Sequence, residues 1–337
     1  MIPERIIISR TDSIGDVVLT LPVAGALKRY LPGCKIIFLG RTYTEPVVKL
    51  SAHVDEFLNW DHFENLPPSR QAAALRMTDA DTIVHIFPNR QIAKAARRAG
   101  IAQRIGTSHR WYHYLFCNKT VNFSRKKSEL HEAQLNFSLL NSLGIPTAPD
   151  LTEIVKLYGM NSEEHTEDFI NQLTAGNRFN LILHPRSKGS AREWGLGNFS
   201  KLIQLVPKDT YNIFITGTEE EGKSMKSFLA KQTGKITDLT GKLTLSQFIG
   251  FIGKADGIVA ASTGPLHIAA ALGKVAVGLY APMRPIHPGR WSPLGKKAGY
   301  LVLDRTCNDC RKNMDCKCIR SIQPEQVIKK LEELASK

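Results

Sequence analysis

Residues 258–282, IVAASTGPLHIAAALGKVAVGLYAP, hold the chain to a narrow choice of folds. The run opens as a short apolar strand and turns through Ser262-Thr263-Gly264. It then predicts a helix from Pro265 to Leu272 and a second apolar strand over 275–280. Pro265 suits the first helical position, where its missing N–H would be unpaired anyway. Ser262 or Thr263 is expected to cap the helix through its hydroxyl. The helix is nearly all small and apolar and is therefore expected to be buried; Gly273 ends it. A strand that feeds such a turn into a helix aims free N–H groups and the positive end of the helix dipole at one point, a site for an anion. The same residues equally suit an ordinary βαβ crossover.

The pattern recurs. Residues 6–9 read as a first strand, followed by a polar loop carrying Asp12 and Asp16 and a helical pattern over 17–30. Strands are expected at 35–40, 54–60, 82–87 and 103–106, with helices at 47–50, 66–77, 92–99 and 131–143. Composition changes near 144–159, and a second alternation follows. Helices are expected at 162–173, 198–206, 219–232, 245–254 and 324–336, with strands at 179–184, 211–216 and 236–239. Such alternation implies α/β domains with mainly parallel sheets and ligands at the carboxyl ends of the strands. The expected division is 1–155, 156–322 and a terminal helical segment 323–337 that packs back on the N-terminal domain.

At 337 residues the chain is long enough for two ordinary domains. No apolar run is long enough to span a bilayer, and the first residues do not read as a signal peptide, so a cytoplasmic protein is expected. The net charge of +14 is unevenly placed. Residues 82–128 contain no Asp or Glu but hold Arg97, Arg98, Arg110, Lys126 and Lys127 among other cations. That field suits an anionic partner, either a phosphorylated substrate or an anionic membrane, or is simply a solvated basic face. No nucleic-acid-binding signature accompanies it, so no nucleic acid is expected.

Four loops of the second half follow strands and are expected to converge. They are HPRSKGSAREW (184–194), GTEEE (217–221), DLTGK (238–242) and STGPLH (262–267). Arg186, Ser187, Lys188 and Arg192 supply donors suited to a diphosphate. Carboxylates at 219–221 could hold ribose hydroxyls, or be the ordinary charged first turn of a helix. No P-loop is present, and no GxGxxG follows a strand.

With these motifs in view, the chain resembles the ADP-heptose:lipopolysaccharide heptosyltransferases, family 9 glycosyltransferases with a GT-B fold. The match is carried by TDSIGDVVLTLP (11–22), HPRS…REW (184–194), the glycine and acids at 217–221, LTG (239–241) and STGPLHIAAALG (262–273), with a weaker echo in RWSP (290–293). The resemblance implies two Rossmann-like domains facing a central cleft. It also implies inverting transfer of a sugar, heptose from ADP-heptose, without a metal or other cofactor. Asp16 matches the family's general base, with Asp12 as rival or helix cap. Ser187 and Arg192 match phosphate-contact positions, with Lys188, Thr263 and Gly264 beside them. Glu221 matches the ribose contact, with Glu220 as the alternative register and Thr240 and Gly241 nearby. Ser262 stands where many members have an Asp that contacts the donor sugar, and His267 faces the same turn or is structural.

The implied partners are a nucleotide-sugar donor and a phosphorylated lipid A–core acceptor. Peripheral contact with an anionic membrane goes with them, through the basic residues of 82–128. The alternatives are a GT-B transferase or epimerase acting on another nucleotide-sugar, and a non-catalytic homologue of the fold. Separately, Cys307, Cys310, Cys316 and Cys318 are spaced closely enough to hold a structural zinc, although the short 316–318 gap is not that of a standard knuckle. Cys34 and Cys117 read as core residues.

Overall fold

The β-branched run at the start of the chain forms β1 (Arg5–Ser9). Successive strand side chains point to opposite faces, yet Ile6, Ile7 and Ile8 are all fully buried, so this strand is covered on both sides. The computed structural model describes residues 2–125, 128–284, 286–303, 307 and 315–337. They divide into two compact units, 1–160 and 161–337.

In the first unit β1 is followed by β2 (Lys35–Gly40), β3 (Glu56–Asn59), β4 (Thr82–His85), β5 (Gln103–Thr107) and β6 (Lys119–Val121). They form one sheet in the order β3-β2-β1-β4-β5-β6. Every pairing is parallel; Ile6 faces Ile36 on one side and Thr82 on the other. The core cluster joins Ile7, Ile37, Leu39 and Ile83 to Trp60, Leu75 and Ile92. Burial of each such aliphatic side chain contributes about 1.5–3 kcal/mol.

The second unit repeats the plan. Its strands are β7 (Phe179–His184), β8 (Tyr211–Ile215), β9 (Thr237–Asp238), β10 (Gly257–Ala261), β11 (Val275–Tyr280) and β12 (Ala298–Val302). The order β12-β11-β10-β7-β8-β9 is again that of a Rossmann sheet, and all pairings are parallel. In both sheets the strand order reverses beside the unit's first strand, between β1 and β4 and between β7 and β10. A ligand crevice belongs outside the carboxyl ends of those strands.

The local differences from expectation have physical causes. The helix expected over 17–30 is two helices, Ile14–Val18 and Leu21–Tyr30. Pro22 has no N–H to continue the ladder, and Asn136 Nδ2 donates to Leu19 O (3.1 Å) in the break. The segment 162–173 is a 3-10 turn, Glu163–His165, and a short helix, Asp168–Leu173. Helix 219–232 divides into Glu219–Ser224 and Lys226–Lys231. The helix Trp111–Phe116 and strands β6 and β12 were not expected.

The terminal helix Pro324–Ala335 buries Val327, Leu331 and Leu334 in the core of the second unit, against β11, β12 and the helix Leu196–Leu205. Among the described residues no helix is long and apolar enough to cross a membrane.

Candidate active site

In the first unit the candidate centre is built on Arg10, the residue after β1. Its side chain is 3% exposed. Arg10 Nε donates to Asp12 Oδ1 (2.6 Å), and Nη2 donates to Asp16 Oδ1. Nη1 reaches Glu132 Oε1 (3.4 Å) and Asn136 Oδ1 (3.2 Å). Burial works against the guanidinium charge, but the three carboxylates outweigh it and hold the proton on Arg10 more firmly than usual. Glu132 is itself buried and also accepts from Arg125 Nε (2.9 Å).

Asp16 lies in the first turn of the helix Ile14–Val18, where a carboxylate is favoured by the dipole. Ser13 Oγ donates to its second oxygen, Oδ2. Its side chain remains 18% exposed, so an incoming hydroxyl can approach it. Asp12 does not cap this helix, contrary to one expectation. The cap position is Ser13, and Asp12 is drawn to Arg10 instead. Burial, with Asp16 adding its like charge, pushes the Asp12 carboxyl up to about 6 against the pull of Arg10. Arg10, Glu132, Asn136 and Arg125 were not among the expected site residues. Arg10 adjoins the motif at 11–22, but its carboxylate partner Glu132 lies 122 residues away in sequence.

In the second unit the loop after β7 is organised by Glu193. It accepts from Ser187 N (3.0 Å), Ser187 Oγ (3.3 Å) and Arg186 Nη1 (2.8 Å). This closes the loop so that Ser187 is buried while Lys188, in the left-handed region at φ 48°, is exposed. Arg192, half-buried, belongs to the same loop. Glu193 is a further residue to which no role was assigned from sequence, although it stands inside the quoted motif.

Glu221 takes part in a capping box: Thr218 N donates to Oε2 (2.8 Å) and Thr218 Oγ1 accepts from Glu221 N (3.3 Å). Glu220 is exposed beside it. Thr240 N and Oγ1 both donate to Asp238 Oδ1, and Gly241 N donates to Gly217 O (2.9 Å). The loops after β8 and β9 are therefore brought together. A Cβ on Gly222 would lie 2.4 Å from Thr240 Oγ1, which is why only glycine fits there.

His184, at the end of β7, stacks on Phe248 and meets Thr216 Oγ1 at 2.9 Å. Burial pushes it down to about 4, opposed by Glu221 and Glu193. That opposition places both carboxylates within electrostatic reach of one ring.

The turn after β10 forms as expected, with the helix Gly264–Ala271 following Thr263. Neither hydroxyl caps it. Thr263 makes no side-chain cap bond, and its buried Oγ1 has no protein partner. Tyr280, fully buried at the end of β11, donates its hydroxyl to Trp291 O. His267 is buried one turn into the helix.

In the basic window, Arg97, Arg98 and Arg110 are exposed; Lys126 and Lys127 lie outside the described residues. Cys310 lies outside them too. Cys316 and Cys318 are buried in the second core, with Cys307 packed against it. Among the described residues no three His, Cys, Asp or Glu side chains are grouped to hold a metal.

Two Rossmann sheets in one chain, with polar loops gathered at the carboxyl ends of their strands, define an α/β protein of the GT-B class. Solved structures share this fold. E. coli ADP-heptose LPS heptosyltransferase II superimposes with a TM-score of 0.77 at 18% identity, over 99% of this chain and 98% of that one. E. coli heptosyltransferase WaaC with ADP does so with a TM-score of 0.72 at 18% identity, over 98% and 99%. The lipopolysaccharide core heptosyltransferase OpsX of Haemophilus influenzae is 21% identical over 304 residues, 87% of this chain and 83% of that protein. Residues 70–318 match glycosyltransferase family 9 (heptosyltransferase). The chain belongs to that family and is a glycosyltransferase.

Proposed function

We propose that this chain transfers heptose from ADP-heptose to a lipopolysaccharide core acceptor, with inversion at the anomeric carbon. The observation that carries the reading is Asp16. Its carboxylate stands beyond the carboxyl end of β1, is oriented by Arg10 and Ser13, and keeps part of its surface open. Asp16 takes the proton of the acceptor hydroxyl as the oxygen attacks the anomeric carbon. The new carbon–oxygen bond forms as the bond to the diphosphate breaks, and that electron pair leaves on ADP. A single displacement of this kind inverts the centre.

The leaving charge is met by Ser187, Lys188, Arg192 and the backbone N–H groups at Thr263 and Gly264, so the step needs no metal. Glu221, with Glu220, Thr240 and Gly241, holds the nucleoside. The basic residues of 82–128 meet the phosphates of a lipid A–core acceptor, and the enzyme works in the cytoplasm at the inner face of the membrane. Support for the donor side comes from the closed Ser187–Glu193 loop and the paired loops after β8 and β9.

A specific observation favours a second reading of the sugar alone. Ser262 stands where family members often carry Asp, and its hydroxyl is a weaker acceptor for the donor sugar than a carboxylate. On that reading the nucleotide-sugar is a different one.

Thermal shift with ADP, GDP, UDP and CMP tests the donor. Ligand at about a hundred times its Kd adds roughly 2.7 kcal/mol. A shift with ADP alone, heptose transfer from ADP-heptose, and loss of transfer in Asp16→Asn with ADP binding intact are expected. A shift with another nucleotide discards ADP-heptose. Undiminished transfer by Asp16→Asn discards the base. No shift with any nucleotide favours a non-catalytic homologue.

A further inference from the structure

The helix Arg90–Ala99 divides into two faces. Ile92, Ala93, Ala95 and Ala96 are buried, while Arg90, Lys94, Arg97 and Arg98 are exposed at i, i+4, i+7 and i+8. The cations therefore form one stripe. Beside it lies the helix Trp111–Phe116, which turns His113 inward. Trp111 is 62% exposed, Tyr114 64% and Leu115 52%, again at i, i+3 and i+4. The two helices are tied. Arg97 Nη1 donates to Leu115 O (2.6 Å), and the Arg90 guanidinium lies 5.0 Å over the Trp111 ring. The neighbouring helix Pro68–Arg76 adds no acid; Arg76 Nη2 donates to Arg98 O (3.3 Å).

An exposed indole, phenol and leucine on one short helix are costly in water unless something covers them. Aromatic side chains with a polar edge and a neighbouring row of cations match one environment well, the headgroup boundary of an anionic bilayer. A free phosphate or a sugar phosphate would use the cations but has no use for Leu115 and Tyr114. We propose that the Trp111–Phe116 helix and the cationic stripe beside it form a membrane-docking surface. Trp111, Tyr114 and Leu115 enter the interface of a bilayer containing anionic glycerophospholipid, while Arg90, Lys94 and Arg98 meet its headgroups. This deepens, and rests on, the acceptor-side reading above, but binding at this surface requires neither donor nor sugar transfer.

The test uses the full chain without nucleotide. Flotation is compared between vesicles of phosphatidylglycerol with phosphatidylethanolamine and vesicles of phosphatidylcholine alone. Binding to the anionic vesicles and little to the neutral ones is expected. Lys94→Glu with Arg98→Glu is expected to weaken binding about tenfold or more. Trp111→Ser/Tyr114→Ser/Leu115→Ser is expected to do the same with an unchanged thermal transition, since all three side chains are exposed. Brominated lipid is expected to quench indole emission in the parent chain and not in Trp111→Phe.

Equal binding to both vesicle types overturns the proposal. So does anionic binding that survives the triple substitution without quenching, which would mark a purely electrostatic patch. Tighter binding of single-stranded RNA than of vesicles overturns it too. A chain that passes here and transfers no heptose refutes only the catalytic reading.

Discussion

Arg10 Nη2 and Asp16 Oδ1 form a hydrogen-bonded ion pair in which the arginine is almost wholly buried and the carboxylate is not. The same guanidinium holds Asp12 and Glu132. Its removal therefore leaves three carboxylates around one uncompensated space. Arg10→Met is expected to lower stability by about 3–5 kcal/mol, read by denaturant unfolding at neutral pH. Arg10→Lys keeps the charge but not the planar fork, and is expected to fall between the two. A loss below about 1 kcal/mol for Arg10→Met would show that the buried network carries no net stability.

Asp12 makes a pH prediction with a definite sign. Its carboxyl sits near 6 in the folded protein, above the unfolded value of about 3.9. Between those values the folded state holds a proton that the unfolded state has released. The stabilising contribution is therefore fully present below about pH 4 and lost as pH rises through 6. Asp12→Asn removes the titration. Relative to the parent, it should gain stability between pH 4 and pH 8, with a ceiling of about 3 kcal/mol for a shift of about two units. Unfolding curves of both proteins across that range decide it; a difference that does not change with pH refutes the assignment.

Much of the frame is legible in the residues. The apolar strands at 35–40, 179–184 and 275–280 lie where their β-branched runs place them, and the helix Leu245–Lys254 follows its own periodicity. Short elements at the sheet edges are harder to see. β6 is three residues with a lysine and a threonine, and WYHYLF lacks both strong helix formers and a side-chain cap. Asp16, Ser187 and Glu221 stand out because their partners or motifs are local. Arg10 and Glu132 do not, because the pair forms only when β1 and the helix Glu132–Phe137 come together. Glu193 is hidden in the sequence for a different reason: an acidic residue in a loop proposed to hold a diphosphate looks unfavourable, and its role follows only from its bonds to Ser187 and Arg186.

That role of Glu193 can be measured. Glu193→Gln keeps the shape but gives up the charge that closes the loop around Ser187. Both members of the Arg186–Glu193 pair are partly exposed, so global stability should change by less than about 1 kcal/mol. If the loop receives the donor diphosphate, ADP affinity should fall about tenfold, or about 1.4 kcal/mol. Calorimetric titration with ADP gives the answer directly. Unchanged affinity would remove this loop from the donor site.

His85 supplies the opposite pH sign to Asp12. It ends β4, pairs with Ser9 across the sheet and is fully buried, with neither ring nitrogen bonded to another protein group. Burial, with His113 and Arg104 adding like charge, pushes it down to about 3. The unfolded chain takes up a proton near 6.5, where the folded one does not. Stability from this residue is therefore present above 6.5 and lost as pH falls toward 3. A leucine of similar volume removes both the titration and the unpaired ring nitrogens. His85→Leu should be neutral at pH 7 or stabilising by about 1–3 kcal/mol, and its acid unfolding limb should be flatter than the parent's. His184, depressed by burial in the same direction, still titrates in that variant, so the limb should flatten without vanishing. A destabilised His85→Leu with an unchanged acid limb would mean that the ring is anchored by bonds to solvent and that its nitrogens are satisfied.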